Sequence, residues 1–264
     1  MHNMKSICLM IVFAGLLLPV TLSAQTFGFG CLGLVGGYGG YSYQVYNPKG
    51  LNDYVTSFND SFKDSLSSAL GKFGKARGYR VGINLFRADI KGFILTTKGF
   101  YQYLIEKNSA DILSSSGKST VIYEVDLKNW GIGIDLGTSI SGALSWKVID
   151  AAVLFNSATF TNTLNSPGPT TIVMKYNSEK STLGYTIGTG FILAIIDQYI
   201  SLEGTAGYTV FSIDKMKSDD GSELTSSENS TEPMRNFISS GGFNAVVQLN
   251  IGFPLWYIIA LKPT

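Results

Sequence analysis

The sequence predicts an all-β transmembrane barrel, an antiparallel up-and-down sheet of about eight strands closed on itself, with one amphipathic helix in its first long connection. Three observations point there. Large apolar residues alternate with glycine or polar residues over most of the chain. The links between alternating segments are long and polar, then short, in strict turn. The segments themselves approach the roughly 9–11 residues that a tilted membrane strand needs, where globular strands average about 5–6.

The chain opens on a leader. "MHNMKS" carries Lys5, "ICLMIVFAGLLLPVTL" is apolar, and "SA" before Gln25 offers a small-residue cleavage site, which is the layout of a signal peptide over residues 1–24. Export leaves residues 25–264 as the barrel. The loss of Lys5 brings the 20 basic residues level with the 19 acidic ones, so nothing favours nucleic acid as a partner. His2, the only histidine, goes with the leader, and so does Cys8. Cys31 is then the sole cysteine of the mature chain, which forms no internal disulfide. Its place in "FGFGCLG" makes it a small strand residue. No later run of about 18 apolar residues exists, which excludes helical spans. Gly 30, Pro 7, Phe 16, Tyr 14 and Trp 3 fit many strands and little disorder.

Strands are expected at 27–45, 77–87, 91–106, 119–138, 143–158, 181–194, 199–213 and 241–253. In 79–86, Tyr79, Val81, Ile83 and Leu85 oppose Arg80, Gly82 and Asn84. In 130–137, Trp130, Ile132, Ile134 and Leu136 oppose Gly131, Gly133, Asp135 and Gly137. In 183–193, Leu183, Tyr185, Ile187, Phe191 and Leu193 oppose Gly184, Thr186, Gly188 and Gly190. Segments 200–210 and 243–253 follow the same rule. Long links fall at 46–76, 107–118, 159–180 and 214–240, short ones at 88–90, 139–142 and 195–198. Aromatic residues gather toward strand ends: Tyr38, Tyr41, Tyr43 and Tyr46, then Phe100, Tyr101 and Tyr103 at the loop side, Trp130 and Trp146 toward the short turns. Such clusters suit the two membrane interfaces. Phase slips near 128–130 and 149–152 read as bulges that leave the facing of Asp126 and Lys147 open. Alternation alone also fits a soluble barrel with an apolar ligand inside. The sorting of the loops favours lipid outside and a narrow, polar interior.

The first long link breaks the β pattern. In "LNDYVTSFNDSFKDSLSSALGKF" (51–73), Leu51, Tyr54, Val55, Phe58, Phe62, Leu66, Leu70 and Phe73 recur at steps of three and four, one stripe of an amphipathic helix. The stripe packs on the barrel mouth, lies at the membrane interface or docks a partner. Leu51, Val55, Phe58, Phe62, Leu66 and Leu70 are its candidate interaction residues.

By alternation, the charged residues facing the interior are Arg80, Lys98, Glu124, Asp126, Asp135, Lys147 and Glu203. Mixed signs point to paired charges bridging a filled lumen, with a proton or ion path as the sharper alternative. Glu124 and Asp126 at i, i+2 do not by themselves make an acid–base pair. "GLVGGYGGY" lacks the lysine-serine and helix of a phosphate loop, and "SDDGSE" lacks the full calcium-loop pattern. No catalytic, metal or cofactor residue is assigned.

With its strands placed, the chain resembles the small outer-membrane β-barrel proteins of Gram-negative bacteria, the eight-stranded OmpA/OmpX-like class. The resemblance covers 25–253 and rests on architecture. It implies an outer-membrane location, lipid as solvent, and a non-enzymatic structural role or a surface interaction with an extracellular or envelope protein. A narrow porin-like channel for small or hydrophobic solutes is the second expectation. Outer-membrane hydrolases and acyltransferases rely on a histidine, which the mature chain lacks. Two features depart from the class: the tail "FPLWYIIALKPT" ends on threonine, and a helical first loop is not general.

Overall fold

Alternating glycines and large apolar residues let the backbone pair continuously, and in the computed structural model it does so until the sheet closes. Residues 36–90, 92–115, 117–196, 199–227 and 230–252 are described. The expected leader over 1–24, Cys31 and the tail from Phe253 lie outside them.

Eight long strands form the wall: β1 (Gly36–Val45), β3 (Lys75–Ile90), β4 (Phe93–Ser114), β5 (Gly117–Ser139), β6 (Leu144–Asn165), β8 (Thr182–Ile196), β9 (Ile200–Val210) and β11 (Phe243–Gly252). Each pairs antiparallel with the next, and β11 returns to β1, so no barrel edge is left open. Closure is what a sheet in lipid requires, because unpaired backbone groups there have no water to bond. Three short strands lie off the wall: β2 (Leu66–Ser68), β7 (Thr171–Ser178) and β10 (Met216–Ser218). Starting at Gly36 and stepping along paired residues through Asn84, Lys98, Gly133, Ala152, Thr186 and Thr209 leads to Gly242, beside Val45 at the far end of β1. A stagger of that size tilts the strands by about 35–45°.

The apolar faces point outward. Val81, Ile83, Ile132, Ile134, Ile187, Leu249 and Ile251 are exposed in a band around the wall. An aromatic ring bounds it on every strand at the long-loop side: Tyr41, Tyr79, Tyr101, Trp130, Phe155, Tyr185, Tyr208 and Phe243. Phe93, Trp146, Phe191 and Tyr199 stand at the short-turn side. This is the exterior of a transmembrane barrel, and it is the reverse of a soluble barrel with grease inside. Four expected placements change. Trp130 belongs to the upper ring, 4.8 Å from Tyr101, and Tyr38, Tyr46 and Phe100 point inward.

Two links expected as loops are strands. β4 and β5 stay paired up to Ser114 and Gly117, and β7 pairs the upper half of β6 up to Asn165 and Thr171. The slip at 128–130 has a cause other than a bulge. From Val121 to Asp135 every odd residue of β5 faces inward without interruption. Above Asn129 the inside is apolar and the outside is polar. Below it the inside is glycine and acid and the outside is apolar. The strand keeps its phase while its surroundings exchange, at the boundary between lipid and water. The second slip is a bulge between Lys147 and Asp150 on β6.

The helix is shorter than its stripe. α1 (Lys49–Phe62) buries Leu51, Tyr54, Val55 and Phe58, after which the chain turns back. Two asparagines on α1 hold the returning segment: Asn59 exchanges bonds of 3.0 Å and 3.0 Å with the backbone of Leu70. Asn52 does the same with Phe73, at 3.0 and 2.8 Å. Leu66 sits on β2 and Leu70 in the return, so neither is helical, a correction to the expected 51–73 helix. Both still join the core under α1, Leu70 within it and Leu66 at its margin.

Small residues set how closely the wall packs. A Cβ at Gly40 would collide with the Val247 carbonyl and the Gln248 Cα, both backbone. Gly40→Ala is therefore expected to lower stability by about 1–3 kcal/mol, read as the urea midpoint of the folded barrel in vesicles. Gly92→Ala is unsuitable as its control because Gly92 has φ 85; Gly37→Ala, with open space around its Cβ, is expected to be near neutral.

Candidate functional site

The barrel interior is stacked in layers, and the strand register decides what each contains. The lowest is ionic. Lys98 of β4 lies 2.7 Å from Asp135 of β5 and 2.7 Å from Asp150 of β6. Lys147 lies 2.8 Å from Asp135 and 3.2 Å from Asp150, and it also pairs with Glu203 of β9. The bulge on β6 is what turns both Lys147 and Asp150 inward, three residues apart on a strand that would otherwise oppose them. Asn250 of β11 donates to Glu203 at 3.1 Å and to Ser201 at 3.2 Å, and Gln248 donates to Asn250 at 2.9 Å. Arg80, bonded to Gln102 above them, brings the buried charges to three cations and three carboxylates. Its guanidinium donates twice to Gln102 Oε1, at 3.0 and 2.7 Å, and stands 4.2 Å over the Phe100 ring. All six charged residues are at most 7% exposed.

Above the ions, Tyr38, Phe100, Ala152 and Leu154 form a small apolar layer. The Tyr38 and Phe100 rings occupy the space that Gly82 and Gly131 leave by lacking a Cβ. The next layer is polar and, apart from the Arg80 guanidinium held by Gln102, uncharged. Ser42 donates to Gln102 at 2.8 Å, Gln102 to Gln44 at 3.3 Å, and Asn244 to Thr186 at 2.9 Å. The top is the larger apolar cluster among the described residues. There Leu51, Tyr54, Val55 and Phe58 of α1 meet Leu104, Tyr123, Val125, Leu127 and Phe160 of the wall, together with Phe237 and Ile238 from the 211–242 connection. Tyr123 makes ring contacts with Tyr54, Phe58 and Phe160 at 5.8, 5.7 and 5.3 Å. α1 and the 211–242 connection thus cap the barrel at its long-loop end.

At the short-turn end, a pocket of about 40 Å³ reaches the underside of the ionic layer. Asn84, Thr96, Ser145 and Asn250 line it beside Asp135, Lys147 and Glu203, and it has room for a few water molecules. Outside the barrel, Lys118 and Thr120 hold the Asp111 carboxyl below its usual range by hydrogen bonding, near the tip of the β4–β5 hairpin.

Of the seven expected interior charges, the structure buries Arg80, Lys98, Asp135, Lys147 and Glu203 and ion-pairs all but Arg80, which bonds Gln102 instead. Glu124 and Asp126 are corrections: both face outward above the aromatic ring, where Glu124 pairs with Lys107 at 3.3 Å and Asp126 accepts from the Tyr103 hydroxyl at 2.6 Å. The even residues of β5 face outward throughout, and only the bulge misread at 128–130 made them look internal. Asp150 was missed; its one signal is the second slip, which reorients a pair of residues. The helix residues are placed, but not as a free surface. Leu51, Val55, Phe58 and Leu70 are buried in the cap, and Phe62 and Leu66 pack at its margin. The apolar stripe is spent inside the protein. Among the described residues, no group of histidine, cysteine and acidic side chains is arranged to hold a metal.

No family model and no curated protein matches the chain. Solved structures show distant likeness. The attachment invasion locus protein Ail of Yersinia pestis is 11% identical, with 84% of this chain and 99% of that one covered and a TM-score of 0.36. A second Ail structure, in complex with the heparin analogue sucrose octasulfate, is 10% identical over 84% and 99%, with a TM-score of 0.35. The outer-membrane channel DcaP of Acinetobacter baumannii is 9% identical over 86% and 100%, with a TM-score of 0.20. At these values the barrel architecture rests on its own strand pairing.

Proposed function

We propose that this protein is an outer-membrane barrel, exported by the leader at 1–24, which does not conduct and which acts through its extracellular face. One observation carries the reading: the interior is closed twice, by the ion pairs of Lys98 and Lys147 with Asp135, Asp150 and Glu203 at one level and by the apolar cap of α1 and the 211–242 connection at another. A solute path would have to break both. Its material is invested outside the membrane, in two hairpins that stand above the aromatic ring and in a cap with a packed core. Lipid contacts the apolar band. The extracellular hairpins and the outer face of the cap meet proteins of the envelope or the surroundings. The buried carboxylates Asp135, Asp150 and Glu203 are tied to lysines or to asparagine.

The test is electrical. Purified, refolded protein in planar bilayers is expected to leave the membrane at its bare conductance, while the same sample migrates as a heat-modifiable band. Steady ohmic steps from a folded sample would overturn the reading in favour of a narrow channel. A protein that unfolds in SDS without heating would remove the membrane barrel itself.

A further inference from the structure

The cap closes over a floor of side-chain amides. Gln44 of β1, Gln102 of β4, Asn129 of β5 and Asn156 of β6 all face inward. The next inward residue above each, in turn Tyr46, Leu104, Leu127 and Ala158, belongs to the cap core. The register sets Gln102 beside Asn129 and Asn129 beside Asn156, and Gln102 donates to Gln44 at 3.3 Å. Gln102 is engaged at both ends of its amide, by Ser42 and Arg80 as well as Gln44. Its neighbours are not. Gln44 and Asn129 are 1% exposed and Asn156 is 0% exposed. Yet among the described residues Gln44 Nε2, both polar atoms of the Asn129 side chain and Asn156 Oδ1 have no hydrogen-bond partner.

Buried amides are costly to leave unpaired, so a floor of them marks a place where a polar group binds. Exchanging N and O in the Asn129 amide changes nothing, because both are unpartnered. Asn156 is fixed as an acceptor, since its Nδ2 donates to the Thr182 carbonyl at 3.2 Å. A group that satisfies this floor therefore accepts from Gln44 and donates to Asn156. A hydroxyl or a carboxamide does both, whereas a carboxylate or an ammonium does only one. What stands on the floor instead is the apolar stripe of α1, Leu51, Tyr54, Val55 and Phe58. The helix is lightly held. It has 14 residues, starts after Pro48 without a side-chain cap, and carries no acidic residue in its first turn and no basic one in its last. The paired bonds of Asn52 and Asn59 tie it to its own returning segment and not to the wall.

We propose that α1 is a displaceable plug in a binding cup for a single-chain amphiphile with a neutral, protic head. The head, a hydroxyl or an amide, sits on Gln44, Asn129 and Asn156. The chain takes the place of the α1 stripe against the apolar wall of Leu104, Val125, Leu127 and Phe160. Binding exchanges one apolar occupant for another and adds the hydrogen bonds that α1 does not make, so the head decides the affinity. Arg80 does not turn the floor into an anion site, because Gln102 and the Phe100 ring already hold its guanidinium. The site rests on the reading of a lumen closed below by Lys98 and Lys147, which leaves the outer mouth as the way in.

The probe is a fatty alcohol with a mid-chain diazirine, irradiated with full-length folded protein in lipid nanodiscs and located by peptide mass spectrometry. Saturable attachment is expected inside the cup, on Leu104, Tyr123 and Leu127. Decanol is expected to compete about tenfold better than decane or decanoate. Decanol is also expected to speed trypsin cleavage after Lys63 and Lys72, because it binds the form in which α1 is lifted, and decane is not. Asn129→Leu replaces an unpartnered amide by an apolar side chain of similar size, so it is expected to keep the heat-modifiable band and to lose the preference for decanol. Attachment confined to outward residues such as Ile132 and Val153 overturns the cup and leaves the amides to bound water. Equal competition by decanol and decane, or an unchanged preference in folded Asn129→Leu, overturns the polar floor. Stronger competition by decanoate overturns the neutral head. The wild-type competition series decides the proposal even if that variant fails to fold. None of these outcomes is a conductance, which tests the parent reading separately.

Discussion

Lys147→Met is expected to destabilise the folded barrel by about 3–5 kcal/mol, the typical cost of removing one partner from a buried ion pair. Lys147 touches three carboxylates, Asp135, Asp150 and Glu203, with side chains of all four residues between 5 and 8% exposed. Without it Asp135 and Asp150 retain Lys98, but among the described residues Glu203 keeps the amide of Asn250 alone. The loss is thus larger than one hydrogen bond, because a charge remains buried with too little to oppose it. Urea titration in lipid vesicles, followed by tryptophan fluorescence, measures it. Adding Glu203→Gln to Lys147→Met removes the stranded charge and is expected to restore part of the stability, with a coupling on the order of 0.5–3 kcal/mol. The outer-surface pair supplies the contrast. Lys107 and Glu124 are 55 and 27% exposed, and Lys107→Met is expected to cost no more than about 1 kcal/mol. Equal effects at Lys107 and Lys147 would mean that the interior is wet enough to screen its charges, and the double closure would lose its lower seal.

That contrast also marks where sequence and structure part. Alternation located all eight wall strands because the lipid band demands period two and nothing else in the chain competes with it. It also brought Arg80, Lys98, Asp135, Lys147 and Glu203 to the inside, since each sits opposite an apolar outward face. What alternation cannot mark is a change of solvent along one strand. Val125, Leu127 and Ile132 look like a broken pattern, yet the first two face the cap core and the third faces lipid, on a strand of constant phase. Hence Glu124 and Asp126 read as internal; Asp150 escapes alternation for a different reason, the bulge on β6 that turns it inward beside Lys147. α1 failed in a related way. Leu66, Leu70 and Phe73 continue a helical spacing because the returning chain buries residues against the same core, and a stripe does not reveal that Asn52 and Asn59 have turned the chain around. β7 itself is invisible in the sequence, because 159–180 reads as a polar link and its pairing with β6 leaves no alternation.

Phe58→Ala tests the upper seal, with an expected loss of about 3–5 kcal/mol confined to the cap. Phe58 is 2% exposed and contacts the rings of Phe62 and Tyr123 at 5.0 and 5.7 Å. It lies between α1 and the wall, so the energy lost is the energy that holds α1 down. The strands below keep their ladders and their ionic layer. A loss of that size raises the open population of the cap on the order of 10²–10⁴-fold. Cleavage by trypsin after Lys63 and Lys72, which flank the turn between α1 and the returning strand, is expected to rise with it, since cutting follows the open fraction when closing is fast. The same sample should still migrate as a folded barrel, and it should remain silent in a planar bilayer, because Lys98 and Lys147 still close the lumen beneath. Conductance appearing in Phe58→Ala would show that the cap is the only barrier and that the charged layer passes ions once uncovered. Loss of the folded band together with faster cleavage would show instead that cap and wall unfold as one unit. Silence with rapid cleavage is the outcome that two independent seals require.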